Sequence, residues 1–219
     1  MQFIMGLFMK RNTPVTQKEL LLNEGTTLLS TTNTHSHITY ANTAFIDASG
    51  FTEDQLVGEP HHIIRHPDMP PAAFGDLWFT IQQGESWTGM VKNRRQNGDH
   101  YWVRANVTPV YQQGNLTGYI SVRNIPSRDE INASENLYKL ANENKLGGFR
   151  FYKGLVVRRG LLSFLSVFQR ISVSRRTNLG IIVAAALLVA LQFSSWGALE
   201  KAGATVVTLA VLACYLQAQ

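Results

Sequence analysis

The dipeptide Asn97-Gly98 constrains this chain most, because it stands between two stretches that alternate apolar and polar residues with period two. A two-residue hairpin turn needs positive φ at both central positions, and Asn-Gly satisfies that need well. Residues 87–95 and 100–109 are therefore predicted to pair as antiparallel strands. Residues 111–123 form a further strand element, with a turn at Gln112-Gln113-Gly114-Asn115. Upstream, residues 26–31 and 38–41 read as short strands around the polar turn Asn33-Thr34-His35-Ser36. A helix follows from about Asn42 to Gly50, a residue suited to a left-handed C-terminal cap. Thr52-Glu53-Asp54-Gln55 opens the next helix as a capping box, and Gly58-Glu59-Pro60 closes it. A longer helix starts at Pro70-Pro71, ends at Gly84 and aligns Phe74, Leu77, Trp78 and Ile81 on one apolar face. Two strands, several helices and three antiparallel strands predict an α+β domain. It is one curved five-stranded antiparallel sheet with helices on one face, over residues 26–124, preceded by an N-terminal cap, 1–25.

Charge divides the rest. Residues 1–140 carry 11 Lys/Arg against 13 Asp/Glu, whereas residues 141–180 carry eight Lys/Arg against Glu143 alone. Such a basic block suits nucleic acid or a membrane-proximal segment. The uncharged run 179–196, long enough to span a bilayer, decides for the membrane and against nucleic acid. A second apolar run, 202–216, completes a predicted transmembrane hairpin over 179–219. Ser127-Arg128-Asp129-Glu130 is another capping box, so a linker helix of about 128–145 leaves the domain, broken by Gly147-Gly148. Together with the basic juxtamembrane segment it fills 125–178, where Leu161, Leu162, Phe164, Leu165 and Phe168 suit either a membrane surface or a packed connector. The arginine bias places residues 149–178, and with them the domain, on the cytoplasmic side of that membrane. Cys214 is the one cysteine, so no internal disulfide forms. The apolar start, 1–9, has its charges after the apolar run, opposite to a secretory signal, and initiation at Met9 is an equal reading.

The motifs on these elements resemble the sensor part of bacterial aerotaxis receptors, a family of flavin-binding PAS proteins. The resemblance is carried by Ala41-Asn42, Ser49-Gly50-Phe51-Thr52, Arg65-His66-Pro67-Asp68-Met69-Pro70, Asp76-Leu77-Trp78-Phe79-Thr80, Trp87-Thr88-Gly89 and the long block from Val91 to Val103. Gly154-Leu155-Val156-Val157-Arg158 and the apolar hairpin are also similar. The resemblance implies a PAS fold holding FAD, a sensing role in respiratory redox state, and signalling to the chemotaxis machinery as a homodimer or with a partner receptor. Such proteins continue into a HAMP unit and a coiled-coil signalling domain. The expectation here is an input and an anchor without that output.

A flavin site asks for a flat apolar slot, donors and acceptors around the ring edge, and cover for the diphosphate. Trp78 and Trp87 suit stacking on a ring or ordinary core packing. Asn42, Asn93 and Asn106 are amides that suit the sheet's concave side, with turn or edge placement as the rival. Arg65 suits a two-pronged bond to phosphate, and Asp68 a bond to a sugar hydroxyl or the cap of the following helix. The resemblance associates Arg65, His66, Pro67 and Asp68 with FAD, and His61 joins the candidates. No metal site is expected, because Pro67 and the lack of a second ligand pair weaken zinc at His61, His62 and His66. His-Pro-Asp also occurs in chaperone J-domains, which the following strands contradict. The soluble part has no cysteine for adduct photochemistry, and no kinase, cyclase or hydrolase constellation appears, so no enzyme is expected. Two rival functions remain: a haem-based oxygen sensor using His61, His62 or His66, and a cofactor-free interaction module.

Overall fold

Five strands pair in the spatial order β2-β1-β5-β4-β3, every neighbour antiparallel. They are β1 (Leu28–Asn33), β2 (Ile38–Ala41), β3 (Trp87–Arg94), β4 (His100–Gln112) and β5 (Asn115–Asn124). Between β2 and β3 come α1 (Thr43–Ser49), α2 (Glu53–Leu56), a 3-10 turn (His61–Ile64) and α3 (Pro71–Gln82). After β5 come α4 (Arg128–Asn142) and a small hairpin of β6 (Phe149–Tyr152) and β7 (Leu155–Arg158). The computed structural model describes residues 12–158 and the single positions 178, 181, 182, 186 and 205.

The predicted helix ends are realised by their caps. Asn42 Oδ1 accepts from the Phe45 N–H at 3.0 Å, and Gly50 takes φ 72° as the left-handed C-cap of α1. At α2, Gln55 Oε1 accepts from the Thr52 N–H. Ser127 and Glu130 exchange both bonds of their capping box at the start of α4. Pro71 opens α3, where a missing N–H costs nothing, and Gly84 follows its end at φ 80°.

The β3–β4 hairpin forms where expected, but not on a two-residue turn. Arg94 pairs with His100, leaving five residues between them. Gly98 alone takes positive φ, at 97°, while its N–H donates to Arg95 O at 3.0 Å. Asn97 uses its side chain instead, with Oδ1 accepting from the Asp99 N–H and Nδ2 donating to Asp99 Oδ2. This is a turn closed by a glycine bulge, in which Asn acts through hydrogen bonding and not through φ. Residues 12–25, the described part of the expected cap, lie along it. Arg94 donates to Thr13 O and Pro14 O, and Lys18 O accepts from the His100 N–H.

Side chains alternate across the sheet, and both faces are covered. The concave face carries Val91, Ala105, Val107 and Tyr119 toward α1, α3 and the 3-10 turn, with Leu28, Ile38, Phe45, Leu56 and Ile64 completing the core. The opposite face carries Trp102, on which the Tyr138 ring of α4 stacks at 5.9 Å. The helices within residues 26–124 keep to the concave face, and the expectation that is corrected is that of a linker helix leaving the domain, because α4 packs on the opposite face and buries Ile131, Ser134 and Tyr138 as one stripe. Asn142 and Tyr138 fix the helix further, donating to Asp68 O and Met90 O.

Residues 149–158, expected as connector, fold back as the β6–β7 hairpin. Its turn, Lys153-Gly154, takes positive φ at both positions (52° and 80°), the two-residue geometry that Asn97-Gly98 lacks. Among the described residues no helix is long and apolar enough to cross a membrane. The expected spans 179–196 and 202–216, the amphipathic residues 161–168 and Cys214 lie outside the described residues apart from single positions.

Gly118 of β5 shows how closely the strands run. A Cβ there would strike the Thr32 carbonyl of β1. Gly118→Ala is expected to cost about 1–3 kcal/mol, the usual range for overpacking. Thermal unfolding checks this, as a lowered midpoint without loss of β structure.

Candidate functional site

A cavity of about 870 Å³ opens between the concave sheet face, α3 and the 3-10 turn. Its walls are mainly apolar, which is the character of small-molecule sites of this size. The face of α3 read from the sequence is one wall: Phe74, Leu77, Trp78 and Ile81 all line it. Trp78 meets Tyr119 of β5 edge-on, with ring centroids 5.8 Å apart. Val91, Ala105 and Val107 form the opposite wall. Polar atoms are few. Asn93 Nδ2 and Ser121 Oγ are buried in that lining and have no hydrogen-bond partner among the described residues. Native interiors rarely leave such atoms unpaired, so both are available to a ligand.

At one side of the cavity lies a cluster of cationic and imidazole groups. Arg123 of β5 is buried, with Nη2 2.7 Å from His61 Nε2 and Nη1 donating to Ser30 Oγ at 3.1 Å. A guanidinium only donates, so His61 Nε2 accepts and the ring is neutral with its proton on Nδ1. Burial first, then the neighbouring Arg123 charge, push the His61 pKa down to about 3. Burial also lowers Arg123 to about 10, which leaves it charged at neutral pH. Arg65, at the end of the 3-10 turn, lines the cavity with its guanidinium 4.2 Å over the Phe74 ring and Nη2 donating to Met69 O. Asn12 holds that turn in place by donating to His62 O and Arg65 O.

Four of the nine candidates from sequence therefore meet at the cavity: His61, Arg65, Trp78 and Asn93. The other five stand elsewhere. Asn42 is consumed as a cap and brace, accepting from the Leu29 and Phe45 N–H groups and donating to Thr27 O. His66 is fully buried beside the His100 ring and accepts at Nδ1 from the Asp68 N–H. Asp68 pairs with Lys92 Nζ at 2.8 Å on the α4 side. Its pKa is lowered, because the Lys92 ammonium and the neighbouring His66 outweigh the opposing effect of burial. Trp87 is buried with its indole N–H donating to Asp76 Oδ2 at 2.8 Å. Asn106 points to the opposite face and donates to Thr88 Oγ1.

Sequence reasoning missed Arg123 and Ser121 at the cavity and Asp76 behind it. The alternation of β5 was the available signal, since Tyr119, Ser121 and Arg123 share one face. Asp76 had none, because its partners are distant in the chain. Its carboxylate accepts from Trp87 Nε1 and from the Lys153 and Gly154 N–H groups, the last two at 2.7 Å. One side chain thus ties α3, β3 and the β6–β7 turn together. Gly154 sits so close to the Thr88 carbonyl that only glycine fits.

A family model described as PAS fold matches residues 38–123. The aerotaxis receptor of Escherichia coli (strain K12) is 52% identical over 151 residues, which are 69% of this chain and 30% of that protein. The nitrogen fixation regulatory protein of Klebsiella pneumoniae is 28% identical over 104 residues, 47% of this chain and 21% of that protein. The dark structure of the blue-light photoreceptor Aureochrome1 LOV aligns at a TM-score of 0.45 and 24% identity, covering 54% of this chain and 85% of that one. The chain spans less than a third of the length of either curated relative. Residues 38–123 are therefore a PAS fold, in a chain similar over most of its length to part of an aerotaxis receptor.

Proposed function

We propose that this chain is a redox-sensing input module whose cavity holds a flavin, FAD. The observation that supports this most is the pairing of long apolar walls with two buried, unpartnered polar atoms, Asn93 Nδ2 and Ser121 Oγ. A flat heteroaromatic with polar edges fits that combination. When bound, a flavin supplies reversible electron transfer.

The chain's own groups hold and read it. Trp78 and Leu77 cover one side, Val91 and Val107 the other, and Asn93 and Ser121 offer edge hydrogen bonds. Arg65 stands where a phosphate would be neutralised. A change of charge or hydrogen bonding at Asn93 or Ser121 acts on β3 and β5 directly. From α3 it passes through Asp76 to the β6–β7 turn, at the end of the domain that leads into the basic segment. A coupling of about 1–3 kcal/mol is enough to shift a signalling equilibrium. The proposal extends to the whole protein: a homodimer anchored in the bacterial inner membrane by the apolar runs after 178, with the domain in the cytoplasm. Respiratory redox donors would supply its input, and chemotaxis proteins or a partner receptor its output. It has no catalytic role.

Filling the cavity tests the site. Ala105→Phe is expected to lower FAD uptake at least tenfold while the apoprotein keeps a cooperative thermal transition. Undiminished uptake by this variant, measured by flavin fluorescence quenching, counts against the cavity as the site.

A further inference from the structure

Arg123 is 3% exposed, yet its bonds go to neutral partners: Ser30 Oγ, the Ser121 carbonyl at 3.4 Å and His61 Nε2. Its guanidinium also lies 4.9 Å over the Phe45 ring. No carboxylate among the described residues pairs with it. Tyr101, buried behind it on β4, is held protonated by burial, with a pKa raised to about 12. Tyr119 is likewise raised, chiefly by burial, and Arg65 adds a second cation to the lining. The groups facing Arg123 are thus neutral or positive. A buried cation is ordinarily paired, and beside this one Ser121 Oγ is also unpartnered. Both point to a ligand edge that is rich in electrons.

We propose that Arg123, braced by neutral His61 and by Ser30, is the charge-selecting group of this cavity, favouring a ligand whose facing edge is negatively charged when reduced. This rests on the flavin reading. On that reading the bound flavin takes up two electrons from an external reductant and one proton, ending as a monoanion, where a neutral product would need two protons. Arg123 itself gains and loses nothing. It supplies the positive field and donors that stabilise the anion.

The test uses the full chain reconstituted with FAD and reduced by dithionite through mediator dyes, on the acid side of the free reduced flavin's own ionisation. The midpoint is expected to fall by about 30 mV per pH unit, one proton per electron pair. Arg123→Gln is expected to lose about tenfold in relative affinity for the reduced form, a midpoint about 30 mV lower, and to restore the two-proton slope. Arg123→Lys keeps the charge and most of the wild-type value. Flavin bound normally with a slope of about 60 mV per pH unit overturns the proposal and leaves the flavin reading standing. A wild-type chain that takes up no flavin overturns both. The wild-type slope decides the matter if the glutamine variant does not fold.

Discussion

Lowering the pH from 7 to about 4.5 is expected to remove much of the domain's stability before the lowered carboxyls of Asp68 and Asp99 take up protons. His61, half-buried at the cavity wall, and His66, fully buried, are both neutral, with pKa values pushed down to about 3 and about 4, by desolvation above all. In the unfolded chain both return to about 6.5. A depressed folded-state pKa means that the unfolded chain binds more protons between the two values. Stability is therefore fully present above about pH 6.5 and is lost as pH falls toward 4. Each histidine contributes on the order of 2–3 kcal/mol of that loss at pH 4.5, against a total of about 5–15 kcal/mol for a typical domain. Urea unfolding at the two pH values measures it. His61→Gln, which can still accept from Arg123, is expected to remove about half of the difference. A stability that stays level from pH 7 to 4.5 would contradict the placement of both rings. Asp68 and Asp99, whose pKa values are also lowered, extend the loss below pH 4 by the same linkage.

Asp76→Ala carries the second large effect. It leaves the buried Trp87 N–H unpaired and releases the N–H groups of Lys153 and Gly154 together. Hydrogen bonds to a charged group contribute about 1.5–3 kcal/mol each, and a buried donor left unsatisfied costs about 1–3 kcal/mol. A net loss on the order of 3–5 kcal/mol is expected after the solvent-accessible amides regain water. The location of the loss matters more than its size. Amide hydrogen exchange should rise sharply in 149–157 while the centre of β4 stays protected. Uniform loosening of the whole domain would mean that Asp76 is a general stabiliser and not a link from α3 to the hairpin.

What the sequence revealed follows the range of the interactions concerned. Caps at Asn42, Gly50, Thr52, Ser127 and Pro71 are local chemistry, and each stands where the sequence put it. The apolar face of α3 was legible as a face, though only the sheet opposite turns it into a cavity wall. The hairpin at Asn97-Gly98 was found for an incomplete reason, because Asx hydrogen bonding substituted for positive φ at Asn97. The Lys153-Gly154 turn was passed over because lysine is an uncommon choice for that backbone. The outward-facing Trp102 gave no hint by itself of what would cover it, so the return of α4 was missed. Among the candidates, the sequence could name Arg65 and Asp68 as neighbours but not send them apart. In the fold one lines the cavity and the other pairs with Lys92. Arg123 and Asp76 went unread because their partners lie 62 and 93 residues away for the first and 11, 77 and 78 for the second.

The central claim is that the cavity behind Trp78 and Asn93 holds a redox-active flavin. An absorption spectrum of the purified full chain, recorded oxidised and again after dithionite, tests it most directly. The account predicts a yellow protein whose visible flavin bands bleach on reduction and return in air, with FAD released on denaturation. A colourless protein that also fails to take up added FAD, or one showing an intense haem Soret band, would contradict it.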